Sequence, residues 1–102
     1  MLGGMETLTQ RSASDTAPAM KILYFAWLRE RLNRGEEEVR PPAEVLTVRD
    51  LIAWLRARDE AADLAMQRPE IIRAAIDARI VTHDASILGA RTVALFPPMT
   101  GG

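Results

Sequence analysis

The sequence predicts an α+β domain, a mixed sheet with one main crossing helix and short extra helices. Three observations lead there. The segments KILYFAW (21–27) and TVALF (92–96) are apolar on both alternating faces, as strands in the middle of a sheet are. Between them, Val48, Leu51, Ile52 and Leu55 recur at i, i+3, i+4 and i+7, a single apolar stripe of helical period. The order of pieces is strand, short helix, strand, long helix, two strands, loop, strand, with no internal repeat.

Taken along the chain, residues 1–19 are small and polar and lack the charged start and apolar stretch of a signal peptide. They read as a disordered leader, with Met20 a plausible alternative start for a folded domain over 20–96. KILYFAW is aromatic and β-branched, hence a strand, with Ile22, Tyr24 and Ala26 on one face and Leu23, Phe25 and Trp27 on the other. LRERLNRG reads as a short helix stopped by Gly35. EEEVR (36–40) is a polar edge strand ended by Pro41 and Pro42. Thr47 is an N-cap candidate, with Asp50 three positions on approximating a capping box for the long helix. EAADLAMQ (60–67) adds a helical turn or two before Pro69. IIRAAI (71–76) and RIVTH (79–83) read as two strands around a turn at Asp77-Ala78, and TVALF as the last strand, closed by Pro97 because proline has no amide hydrogen. With the first and last strands central and side by side, this is the β-grasp (ubiquitin-like) arrangement.

Composition narrows the function classes. The chain has 102 residues, enough for one domain, and its 13 basic residues nearly balance 14 acidic ones. Nothing there suggests a nucleic-acid or membrane partner, and no apolar run approaches the ~20 residues that span a bilayer. There is no cysteine, which removes disulfides, thiolate metal ligands and a cysteine nucleophile. The single histidine, His83, has no second ligand at suitable spacing, so no metal site is expected. A cytoplasmic address fits this composition.

The ending FPPMTGG carries the chemistry. Pro97 and Pro98 fix φ near −65° and launch residues 97–102 from the sheet as a semi-rigid arm with a flexible end. Its extended reach is about 20 Å. Gly101 and Gly102, without Cβ atoms, can thread a passage too narrow for other residues. Such a tail suits delivery of a carboxylate into another protein's active site.

The FA..RE pattern at Phe25, Ala26, Arg29 and Glu30, the segment RAAIDARIV and the ending VALFPPMTGG resemble the small subunit of molybdopterin synthase, the MoaD sulfur carriers, over residues 20–102. The resemblance implies that an E1-like adenylating partner of the MoeB type uses ATP-Mg to activate the Gly102 carboxylate. A sulfur donor protein then converts it to a thiocarboxylate, and the tail inserts into a large synthase subunit of the MoaE type. Catalytic residues are expected on that large subunit, and no permanently bound cofactor on this chain. It further implies that Gly101 and Gly102 form the reacting end. Phe25, Ile80 and Phe96 are expected on the sheet face away from the long helix, a bare apolar patch that the partner covers, with Pro97, Pro98, Met99 and Thr100 meeting it along the tail. The two phenylalanines can instead be read as core, Arg29 and Glu30 as a solvated helix start, and Trp27 and Trp54 as packing residues. The chain departs from the resemblance at Gly89–Thr92, where relatives often carry an acidic turn, and at Asp77, where they often have Asn. Other functions of the same architecture are a carrier for thiazole synthesis or tRNA thiolation and, in a different class, a ubiquitin-like protein modifier. Lys21 is the one lysine available for polymeric conjugation.

Overall fold

The computed structural model describes residues 19–98, so most of the predicted leader and Met99, Thr100, Gly101 and Gly102 lie outside the described residues. The elements run β1 (Met20–Tyr24), α1 (Ala26–Leu32), β2 (Glu36–Val39), α2 (Val48–Arg58), α3 (Glu60–Ala65), a 3₁₀ turn (Pro69–Ile71), β3 (Arg73–Ile76), β4 (Arg79–Val81) and β5 (Thr92–Phe96). The five strands form one sheet in the order β2-β1-β5-β3-β4. β1 and β5 lie parallel, with Lys21 opposite Thr92 and Tyr24 opposite Leu95. The other three pairings are antiparallel. This is the β-grasp fold, with the first and last strands adjacent and the polar EEEV strand at one edge.

The long helix forms for the reasons its sequence suggests. Thr47 Oγ1 accepts the Asp50 amide at 3.1 Å, and the Asp50 carboxylate accepts the Leu46 and Thr47 amides at 3.0 and 3.2 Å. The full capping box is therefore present. Val48, Leu51, Ile52 and Leu55 are all buried and join Ile22, Tyr24, Ala74, Val93 and Leu95 in one core. Each such aliphatic side chain contributes about 1.5–3 kcal/mol by leaving water, so α2 is held to the sheet by its stripe more than by its propensity. Trp27 and Trp54 pack at the margin of this core, with Arg31 and Arg58 lying over their rings.

Several boundaries differ from the expectation. The first strand stops at Tyr24 rather than Trp27, and Phe25 is the extended N-cap of α1. The apolar alternation runs on through Trp27, but Leu28 and Leu32, one helical turn apart, are the buried pair and set a helical period from Ala26 onward. α1 ends at Asn33, not Gly35: Asn33 takes the left-handed conformation (φ 58) that its short polar side chain tolerates. A Cβ at Gly35 would stand 3.2 Å from Nε of the exposed Arg29 side chain, which would have to shift slightly to accommodate it. β3 begins at Arg73 because Pro69 opens a 3₁₀ turn whose carbonyl accepts the Ile72 amide at 3.0 Å. β4 ends at Val81, and His83 turns inward. Its Nε2 donates to the Ile72 carbonyl at 2.6 Å, and its own carbonyl accepts the Arg49 amide at 3.0 Å. The lone histidine is thus a clip between β3, β4 and α2.

The β3–β4 turn uses Asp77 and Ala78, both at positive φ (48 and 73). The Asp77 carboxylate accepts the Thr92 amide at 3.0 Å and the Arg91 amide at 3.2 Å, and the Asp77 amide donates to the Thr92 carbonyl at 2.9 Å. Asp77 therefore ties the hairpin to the start of β5.

Candidate functional site

The helices cover one face of the sheet, and strand alternation decides what the other face shows. Met20, Ile22 and Tyr24 of β1 and Val93 and Leu95 of β5 point into the core. Their neighbours point away. The registers Glu36–Leu23, Leu23–Ala94, Ala94–Ala75 and Ala75–Ile80 line these residues up in a single row across all five strands. One step further along, Phe96 is opposite Arg73, and the β1–β5 register continued by one residue brings Phe25 beside Phe96. Ile80 is 71% exposed and Phe25 47%, while Leu23, Ala94 and Phe96 are half-buried. Ala75 is shielded yet does not belong to the core under the helices. The result is an apolar face with small alanines at its centre and larger side chains around them. It is bordered by the Lys21–Glu36 ion pair (3.7 Å) on one side and Arg73 on the other. Exposed apolar surface of this kind makes the face a candidate interaction site.

The same end of the molecule launches the tail. The Phe25 amide donates to the Leu95 carbonyl at 3.2 Å, so the start of α1 is tied to the end of β5. Pro97 is buried, and Pro98 borders a groove whose walls include Arg73, Ile80 and His83. Of the residues expected to meet a partner, Phe25, Ile80, Phe96, Pro97 and Pro98 are therefore gathered around this face and its tail-bearing end. Neither Phe25 nor Phe96 is core. Met99, Thr100, Gly101 and Gly102 lie outside the described residues. Leu23, Ala75, Ala94 and Arg73 belong to the same surface and were not anticipated as site residues. Leu23 was legible from its position opposite Ile22 in the strand alternation; the others needed the cross-strand register.

Glu70, on the groove that Pro98 borders, has its carboxyl held below its ordinary value by a backbone amide and by Arg68; the more extensive network of displaced titrations lies elsewhere. Burial pushes the Tyr24 hydroxyl far up, helped by its 2.5 Å hydrogen bond to the Glu37 carboxylate. Burial also works to raise Glu37, but the Tyr24 hydroxyl, Arg58 at 2.6 Å and Arg34 outweigh it and hold the carboxyl below its ordinary value. The Arg34 guanidinium, hydrogen-bonded to Asp59, holds that carboxyl down in turn. This network joins β1, β2, α2 and the loop after α1, where it braces the fold. Among the described residues, no three His, Cys, Asp or Glu side chains group closely enough to hold a metal ion, and no helix is long and apolar enough to cross a membrane. The face itself is apolar, a surface that can bind and position a partner.

Comparisons with known proteins identify the family and the fold. The profile of the ThiS family matches residues 22–102. The molybdopterin synthase sulfur carrier subunit of Escherichia coli (strain K12) is 32% identical over 83 residues, which are 81% of this chain and 99% of that protein. A solved structure described as a putative molybdopterin converting factor, subunit 1, from Pyrococcus furiosus superposes with a TM-score of 0.60 at 27% identity, covering 79% of this chain and 98% of that one. SAMP1 from Haloferax volcanii superposes with a TM-score of 0.63 at 21% identity over 83% of this chain and all of that one, a likeness of fold. The chain belongs to the ThiS family, and within it bears out the resemblance to the small subunits of molybdopterin synthase.

Proposed function

We propose that this protein is a sulfur carrier of molybdopterin synthesis that works through its own carboxyl terminus. In this reading an adenylating partner of the MoeB type, using ATP-Mg, joins the Gly102 carboxylate to AMP and releases pyrophosphate. A sulfur donor protein then displaces AMP to leave a thiocarboxylate. The tail enters a large synthase subunit of the MoaE type, where sulfur passes to the pterin precursor. The observation that carries the proposal is the coincidence of the bare apolar face with the end of the sheet from which Phe96-Pro97-Pro98 leads into Met-Thr-Gly-Gly.

Each part of the chain has a physical task here. The row Leu23, Ala94, Ala75 and Ile80 with Phe25 and Phe96 supplies docking area that needs covering. Pro97 and Pro98 set the direction of departure, and the four residues after Pro98 reach about 13 Å from the docked surface. Gly101 and Gly102 allow the backbone to approach the partner's reacting groups closely. The absence of cysteine agrees with sulfur travelling on the terminus rather than on a side chain. Such a carrier acts as a non-catalytic subunit and co-substrate in the cytoplasm.

Adding one residue after Gly102 tests this directly. The extended protein should keep its fold and its affinity for the large subunit but support no sulfur transfer. Turnover by the extended protein would rule out a free-terminus mechanism.

A further inference from the structure

A second apolar feature lies at the opposite pole from the tail. A pocket of about 220 Å³ opens beside the first residue of β1, between the segment carrying Pro41, Pro42 and Leu46 and the segment carrying Ile87 and Leu88. Its walls are cross-braced: the Ile87 amide donates to the Leu46 carbonyl at 3.0 Å, and Thr47 bridges Ser86. Met20 forms part of its lining. The rim is unusually apolar for a free surface, with Leu46 57% and Leu88 88% exposed. β1 and β5 are parallel and both start at this pole, so the five residues of β5 put the tail about 15 Å away. The sulfur-carrier reading leaves this pocket without a role.

We propose that the amino-terminal segment carrying Met1, Leu2, Met5 and Leu8 docks in this pocket of its own chain. The chain enters the fold at Ala19–Met20, on the lip of the pocket itself. The large apolar residues of the stretch before Met20 all fall within its first eight positions, and residues 9–18 are small or polar. That spacer of ten residues has an extended reach of about 33 Å, ample to turn back on a site at its own root. Tethering through so short a spacer gives an effective concentration in the millimolar range, which a second copy or a separate partner must exceed to compete. The ThiS-family match spans residues 22–102, so this segment lies outside the part of the chain that the match covers. Docking there leaves the face around Ile80 and Phe96 free.

The chain has no cysteine, so one introduced thiol can be labelled alone. A nitroxide on Glu6→Cys of the full chain should broaden the amide resonances of Leu46, Leu88 and Gly89 while sparing those of Ile80 and Phe96. Adding Leu8→Asp to the labelled chain should restore the lost intensity, because a carboxylate cannot enter an apolar pocket unpaired. Unaltered broadening in that variant would overturn the proposal. So would broadening no stronger than from a label at Ser12→Cys, since proximity to the tether would then explain it. In a mixture of labelled and isotope-enriched molecules, broadening across molecules would make a second copy the occupant and equally overturn it. The Trp54 indole resonance reports whether each variant keeps its fold, and none of these readouts depends on sulfur chemistry.

Discussion

Replacing Ile80 with threonine should weaken docking while leaving the fold nearly untouched. Threonine keeps the β-branched shape that a strand accommodates, so β4 is not disfavoured by the change. It removes one methyl group and converts another position to a hydroxyl. If the face is fully covered in the complex, the lost methyl costs about 0.8 kcal/mol and the desolvated hydroxyl about 1–2 kcal/mol. About 2 kcal/mol in all corresponds to roughly a 30-fold rise in the Kd for the large subunit. In the free chain Ile80 is 71% exposed, so less than a third of that penalty acts on folding. Leu95→Ala is the opposite case. Leu95 is 0% exposed, in register with Tyr24 and Ala74, and its truncation should cost about 2–5 kcal/mol of stability. At about 4–8 °C per kcal/mol for a domain of this size, its Tm should fall by at least about 8 °C, against at most a few degrees for Ile80→Thr. Thermal unfolding and calorimetric titration with the large subunit measure the two quantities separately. An Ile80→Thr protein with unchanged affinity, or with a Tm loss like that of Leu95→Ala, would refute the assignment of this face to docking.

Two further predictions concern the fold that carries the face. Ala78 sits at φ 73, where an L residue is strained by about 1 kcal/mol or more, so Ala78→Gly should raise the Tm by a few degrees; a fall would mean that Asp77 and its partners already relieve the turn. Glu37 and Asp59 have carboxyls held below their ordinary values, so the stability they add is fully present above those ordinary values and is lost as pH falls through the lowered ones. Urea midpoints measured from about pH 6 down to about pH 3 should therefore fall, and Glu37→Gln should flatten part of that fall; an unchanged acid limb would remove Glu37 from the explanation.

Much of the fold was legible because local and global signals agree. The stripe from Val48 to Leu55, the Thr47–Asp50 cap and the two apolar strands each specify their element and fit the same sheet. Two of the misplaced boundaries share one cause. At Phe25–Trp27 and again at Ile71–Ile72 the apolar run continues past the point where the backbone changes period, and hydrophobicity alone does not mark that point. The apolar face was legible in outline from Phe25, Ile80 and Phe96. Its full extent was not, because which residues join Ile80 across the sheet depends on register, and register is fixed by pairings between strands distant in sequence. Asp77 makes the same point: its carboxylate serves amides fourteen and fifteen residues away.

The central claim is that sulfur is carried on Gly102. It is tested most directly by the intact mass of the protein after incubation with ATP-Mg, an adenylating partner and a sulfur donor. The account predicts a gain equal to the replacement of one oxygen by sulfur, mapped by fragmentation to Gly102. An unchanged mass with a partner known to be competent, or an isopeptide adduct to a lysine of another protein in its place, would contradict it.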